Sequence, residues 1–241
     1  MPEPGGRQPN RQALVGILGG MGPAATADFY TKLVRRTPAT RDQDHLRVVI
    51  WADPTVPDRV SSVRDGTDTA YPALLYGAVR LREAGATLAA MPCHTAHFFL
   101  DRLQADSNLR FVDMVDETVA AVTGRVDRVR RVGLLATAGT LASGLYQKRL
   151  ADAGVGVVTP DDDTQQRLAR AIAFVKSDDA RSARPLVEQA IGHLRDAGAD
   201  VVVLACTELP LALSGSEFAD GATVLDPTDL LALAVVREST V

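Results

Sequence analysis

Cys93 and Cys206 are the only two cysteines in the 241-residue chain. They occupy the same place in a phrase that the sequence uses twice, "AGATLAAMPCHTAH" over 84–97 and "AGADVVVLACTELP" over 197–210. In each phrase a short apolar run ends at the thiol. A free cysteine titrates near ~8.5 and can be tuned downward, so one thiol can act as base while another acts as acid. Two such groups in equivalent places suit one kind of reaction. To invert a carbon that bears hydrogen, one group removes the proton from one face and the other delivers a proton to the opposite face. The reverse reaction swaps the roles, so each group must be able to do either task.

The neighbouring residues admit other chemistry. Cys93, His94, His97 and Cys206 are all ligand types that zinc accepts. An adjacent Cys-His pair with one further cysteine fits no common zinc spacing, so no metal is expected. His97 follows Cys93 by four residues and would share its helix face if a helix starts there; the alternative is a capping or buried structural histidine. The stretch "GILGGMGP" (16–23) is glycine-rich, but it is not G-x-G-x-x-G and no P-loop lysine follows. It reads as a tight backbone turn, and no cofactor is expected.

The elements that must position the thiols repeat as well. "LREAGA" at 81–86 returns as "LRDAGA" at 194–199, with the same separation of 113 positions as the two cysteines. "VGILGGMGP" at 15–23 returns as "VGLLATAGT" at 132–140, 117 positions on. The chain therefore reads as two related halves whose spacing differs by one loop. Apolar strands are expected at 13–19, 46–52, 87–92 and 111–115, then at 129–136, 154–160, 200–206 and 223–227. Helices are expected near 24–36, 71–84, 165–175, 182–197 and 228–237. Short apolar strands alternating with helices make parallel sheets. The expected fold class is α/β: two similar, pseudo-symmetric three-layer domains with parallel four-stranded sheets. The expected division is a disordered tail over 1–13, an N-terminal α/β domain over 14–115 plus 218–241, and a C-terminal one over 116–217. In such sheets ligands bind beyond the carboxyl ends of the strands, and both thiols lie there. If the halves face each other about a pseudo-two-fold axis, the thiols meet across a cleft.

Composition limits the function classes. Hydrophobic residues make up 46% and charged residues 23%, and the net charge is −4. That is an ordinary globular balance, without a basic cluster of nucleic-acid type and without a run of ~18 apolar residues. Neither nucleic acid nor membrane is expected as a partner. The start "MPEPGGRQPNRQ" lacks the apolar core of a signal peptide, so a cytoplasmic location is expected, where the two cysteines stay thiols.

At these residues the chain resembles a known family. "GILGGMGPAATADFY", "DQDH", "PDRV", "PCHTAH", "LLATAGTLASGLY" and "ACTELPL", in this order from about Val15 to Thr228, are similar to the aspartate/glutamate racemases that work without pyridoxal phosphate. The "CTE" after the second cysteine resembles the aspartate racemase branch. The resemblance implies two pseudo-symmetric α/β domains, catalytic Cys93 and Cys206, an acidic amino acid as substrate, and a homodimer. It implies that Arg59 and Lys176 grip the distal carboxylate, a pairing that suits a dicarboxylic substrate. It also implies that Thr95 and the segment 136–140, with Thr137 and Thr140, hold the α-carboxylate. Met21, Thr207 and Glu208 complete the implied substrate-binding set.

One position departs from the family pattern. The family usually reads Cys-Asn-Thr-Ala-His, and this chain reads Cys93-His94-Thr95-Ala96-His97. The asparagine amide donates toward the substrate carboxylate or the developing enolate. His94 can donate too, but it is larger and can carry charge. Two further readings therefore stay open beside racemisation of aspartate or glutamate. One is a related enolate enzyme, such as a decarboxylase or cis–trans isomerase, or a racemase of an unusual amino acid. The other is a non-catalytic or metal-binding relative. Retention of both cysteines speaks against a decarboxylase, which needs only one thiol to deliver its proton.

Overall fold

The structure, a computed structural model, describes residues 13–125, 129–214 and 223–239. The tail expected over 1–13 lies outside these residues except for Ala13, and so does the segment 218–222. The first half runs β1 (Leu14–Gly19), α1 (Pro23–Arg36), β2 (Arg47–Ala52), α2 (Arg59–Arg64), α3 (Tyr71–Glu83), β3 (Leu88–Ala90), α4 (Leu100–Ser107) and α5 (Met114–Thr123). The second runs β4 (Arg131–Ala136), α6 (Ala138–Ser143), α7 (Leu145–Asp152), β5 (Gly156–Val158), α8 (Asp162–Lys176), α9 (Ala180–Asp196), β6 (Val201–Ala205), α10 (Leu209–Ala212), β7 (Val224–Leu225) and α11 (Pro227–Ser239).

Two parallel sheets result, of order β2-β1-β3 and β5-β4-β6-β7. Side chains alternate across each sheet, as strand geometry requires. In β1, Val15 and Ile17 pack against Phe29 and Leu33 of α1 and Leu231 and Val235 of α11, while Leu18 joins Leu74 and Leu81 of α3 on the other face. In β4, Val132 and Leu134 join Val115, Val122 and Tyr146, while Leu135 joins Leu168, Ile172 and Leu194 of α8 and α9. Each sheet is thus covered by helices on both faces, which makes each half three-layered.

The repeated phrases have a packing cause. A Cβ on Gly16 would come 3.1 Å from the Ala86 Cβ and 3.2 Å from Leu81 Cδ1. At the matching place, a Cβ on Gly133 would come 3.0 Å from both the Ala199 Cβ and the Leu194 Cβ. "LREAGA" and "LRDAGA" are the ends of α3 and α9, and each lies directly on a glycine of the central strand. Glycine there lets the helix seat Leu81 or Leu194 fully, a burial worth about 1.5–3 kcal/mol per side chain. The repeat therefore carries matched helix-on-strand contacts in both halves.

The strand expected at 111–115 is a single parallel bridge between Ala89 and Phe111. It stops because the Asp113 side chain accepts from the N–H groups of Val115 and Asp116 and starts α5 there. At the corresponding point of the second half, Asp226 accepts from the Thr228 N–H and α11 begins. The helices that follow are exchanged between the halves. α5 lays Val115 and Val122 into the core of the second half, and α11 lays Leu231 and Val235 into that of the first. β7, by contrast, belongs to the second sheet, so the chain returns to the first half only at α11.

Candidate active site

The thiols emerge where the strands end. Cys93 lies three residues past the end of β3, and its N–H donates to the Met91 carbonyl at 2.7 Å. Cys206 follows β6 directly. Both are free and almost fully buried, with 6% and 4% of their surface exposed. Burial pushes both thiols up from their usual range, because a thiolate loses water solvation there. The Arg59 guanidinium beside Cys93 and the Ala96 N–H oppose that push. At Cys206 the Glu208 carboxylate adds to it, and the thiol moves further up than at Cys93. Cys206 Sγ lies 3.1 Å from Glu208 Oε2, which also accepts from the Thr207 hydroxyl at 3.1 Å. Glu208 Oε1 is buried without a partner.

One cleft is lined by Met21, Arg59, Cys93, His94 and Thr95 from the first half and by Thr137, Thr140, Lys176, Cys206, Thr207 and Glu208 from the second. Every residue named singly for catalysis or substrate binding therefore borders a single space, and of the expected segment 136–140 only Thr137 and Thr140 border it. The cleft also has walls the sequence reading missed, Asp58, Val60 and Ala205. Asp58 had a legible signal, since it stands three residues before Ser61 and accepts its N–H at 2.7 Å to cap α2. Burial pushes the Asp58 carboxyl up, but the Ser61 donors and the charges of Arg59 and Lys176 outweigh it and hold it below the usual range. Arg59 starts α2, and its Nη1 donates to the Val56 and Pro57 carbonyls at 2.9 and 3.0 Å. Lys176 ends α8 and is exposed at the Cys206 side. The two cations thus come from different halves, Arg59 acting on Cys93 and Lys176 on Cys206, and both act on Asp58.

Three hydroxyls join the halves. Thr95 lies 3.0 Å from Thr137 and 2.9 Å from Thr140, and those two are 3.0 Å apart. Thr137 also caps α6 by accepting from the Thr140 N–H. Sequence places these residues in two distant motifs; the fold makes them a closed triangle at the cleft.

The histidines differ. His97 Nε2 accepts from the Met114 N–H at 3.2 Å, so its Nδ1 carries the proton and donates to the Cys93 carbonyl at 2.8 Å. Both nitrogens serve the backbone, which ties the Cys93 turn to the start of α5 and makes this the buried structural histidine. His94 Nδ1 lies 3.0 Å from the Tyr146 hydroxyl, and its Nε2 is buried without a partner. Burial moves both imidazoles below their usual range, His94 well below it. Both are neutral at physiological pH. Among the described residues, His, Cys, Asp and Glu form no group of three or more placed to hold a metal ion.

Two parallel-sheet α/β halves with a shared cleft and paired thiols define a class of isomerase scaffold, and comparison with known proteins gives the class its name. Residues 18–235 match the Asp/Glu/Hydantoin racemase family, and the chain belongs to it. It is an amino-acid racemase. The broad specificity amino-acid racemase RacX of Bacillus subtilis is 29% identical over 204 residues, covering 83% of this chain and 87% of that one. The Picrophilus torridus aspartate racemase structure superposes with a TM-score of 0.82 at 33% identity, covering 95% of this chain and 94% of that one. Glutamate racemase isoform RacE1 of Bacillus anthracis shares the fold at a TM-score of 0.69 and 18% identity, over 95% of this chain and 82% of that one. Among the described residues no helix is long and apolar enough to cross a membrane.

Proposed function

We propose that the chain racemises an acidic amino acid, aspartate first, by two-base proton transfer between Cys93 and Cys206 without a cofactor. The observation that carries this reading is the pair of buried thiols lining one cleft from opposite halves. One thiolate takes the Cα proton, which leaves an enolate on the α-carboxylate. The opposite thiol then donates its proton to the other face of Cα. The product is the enantiomer, and the two sulfurs have exchanged protonation states. Cys93, with Arg59 beside it, is the easier thiolate; Cys206, with Glu208 beside it, is the one held protonated and so carries the proton to be delivered. The threonine triangle and His94 supply donors for the carboxylate and the charge that develops on it.

The substrate class rests on Arg59 and Lys176, two cations bordering one cleft. It is supported by the Picrophilus protein, named an aspartate racemase; RacX is named for broad specificity and the Bacillus anthracis neighbour for glutamate, so glutamate and other amino acids form the comparison set. A homodimer in the cytoplasm belongs to the same proposal. The edge strand β2 with exposed Ile50, in register with Ile17 on the sheet face that α1 covers, and exposed Tyr30 and Val34 of α1 support a dimer, and light scattering would test it.

The deciding experiment incubates purified protein with L-aspartate in D₂O and follows D-aspartate and Cα deuteration. Both should appear together. Cys93→Ala and Cys206→Ala should each nearly abolish racemisation while the fold survives, since each truncation removes few atoms. A single mutant that keeps more than about a tenth of wild-type turnover would sink the two-thiol mechanism.

A further inference from the structure

We infer that Tyr146 is a positioning residue for the proposed reaction: its hydroxyl donates to His94 Nδ1 and fixes the imidazole proton on Nε2, where it is offered to a carboxylate or enolate oxygen in the cleft. The inference rests on the racemase reading for the identity of that oxygen, but the tautomer itself follows from the hydrogen bonds.

The direction of the chain of bonds is set by the backbone. Thr118 Oγ1 lies 2.7 Å from the Met114 carbonyl, which can only accept, so the Thr118 proton is committed there. It is not available to Tyr146. The Tyr146 proton then has two possible acceptors, Thr118 Oγ1 at 3.4 Å and His94 Nδ1 at 3.0 Å. An O–H···O bond of that length is beyond the normal range, whereas the imidazole nitrogen is close and more basic. Tyr146 therefore donates to Nδ1. A neutral imidazole with Nδ1 accepting carries its hydrogen on Nε2.

The geometry of the ring carries the second step. Tyr146 belongs to α7 and is packed in the core of the second half with Val115 and Val132, away from the cleft. His94 borders the cleft, and the two ring nitrogens point in nearly opposite directions. With Nδ1 turned to Tyr146, Nε2 is turned away from that core. It is a buried donor with no partner in the protein, on a residue 2% exposed. A buried N–H without an acceptor is unfavourable, and a carboxylate oxygen supplies one. Burial also keeps the ring neutral, so it acts as a donor rather than a charge. His94 then does what an amide would do at this position, with its reach and direction set by a tyrosine from the other half.

The test combines NMR and kinetics on the full chain labelled with ¹⁵N-histidine. Two-bond ¹H–¹⁵N correlation at neutral pH should show His94 as the Nε2–H tautomer in the wild type and as a mixture in Tyr146→Phe. That variant keeps the ring that fills the core and removes only the hydroxyl. It should lower kcat/KM for aspartate roughly three- to tenfold, the range expected for one hydrogen bond. In a His94→Asn background the same change should cost less than about twofold, because the amide does not need the tautomer lock. An Nδ1–H tautomer in the wild type would overturn the inference. So would an unchanged tautomer in Tyr146→Phe, or an equal kinetic loss in both backgrounds, which would mark a merely structural tyrosine. If the wild type racemises no amino acid, the proposed function fails on that result, while the spectra still decide the tautomer.

Discussion

Cys206 Sγ stands 3.1 Å from the Glu208 carboxylate, whereas Cys93 has the Arg59 guanidinium as its neighbouring opposing charge. Two thiols in equivalent places of a repeated fold are therefore chemically unequal. Each thiol has a cation on its side, Arg59 at Cys93 and Lys176 at Cys206, and both feel Glu208. Glu208 is the larger charge effect at Cys206 and Arg59 the larger at Cys93, so Cys206 is the more firmly held as the thiol before substrate arrives.

Glu208→Gln tests the anionic side. Burial, the Glu208 charge and the thiol–carboxylate hydrogen bond all raise Cys206, and the substitution removes the last two. Cys206 should then titrate lower, and the alkaline limb of kcat/KM, which reports loss of the required thiol, should move to lower pH. The equilibrium constant of a racemisation is one, so kcat/KM for L- and D-aspartate must fall by the same factor. A drop of about tenfold or more is expected for a group that takes part in proton transfer. An unmoved limb would show that Glu208 does not address Cys206.

Arg59→Leu tests the cationic side with two readouts. Loss of a charge-assisted contact to the distal carboxylate should raise KM for aspartate roughly ten- to a hundredfold. Arg59 also offsets part of the burial effect on Cys93, so its removal should push that thiol up and shift the acid limb to higher pH. Untouched aspartate kinetics would remove the main support for an acidic substrate.

His94 and His97 tie stability to pH. Both are buried and titrate below their usual value, so below ~6.5 the unfolded chain binds protons that the folded chain does not. Stability should rise with pH up to ~6.5 and lose this dependence above it, at up to about 1.4 kcal/mol per pH unit for each histidine. Urea denaturation between pH 5 and 7.5 should show a shallower slope for His94→Asn than for wild type. Equal slopes would mean His94 is protonated in the fold. The same variant should keep or improve aspartate racemisation, while His94→Ala reduces it.

Gly139→Ala tests how closely the halves must meet. The new methyl would lie 2.8 Å from the Val60 Cα and 2.9 Å from Thr95 Cγ2, so α2 and the threonine triangle must shift. Overpacking of this kind costs about 1–3 kcal/mol. Turnover should drop more than stability, because Thr95, Thr137 and Thr140 border the cleft. Wild-type kcat/KM in a stably folded variant would show that the triangle tolerates displacement.

Much of the fold was legible because it rests on local patterns. Apolar runs of strand length, the helices between them and the two copies of the phrase around the thiols all come from periods of two and 3.6, which neighbouring residues display. The repeat also announced that Cys93 and Cys206 end equivalent strands. The short helices α2, α6 and α10, at four to six residues, have too few turns to show a period; the Asp58 and Thr137 caps mark the first two, and α10 has no side-chain cap, only Pro210 in its first turn. "FVDMV" looks like a strand, yet the Asp113 cap turns it into a helix after one bridge. What residues separated along the chain do to one another is a different matter. Tyr146 reaches His94 across 52 positions, Thr95 closes a triangle with Thr137 and Thr140, and α5 and α11 trade halves. Those contacts depend on where two packed halves come to rest. Hydrogen-bond direction, burial and charge at each thiol follow from that placement rather than from any residue's neighbours in sequence.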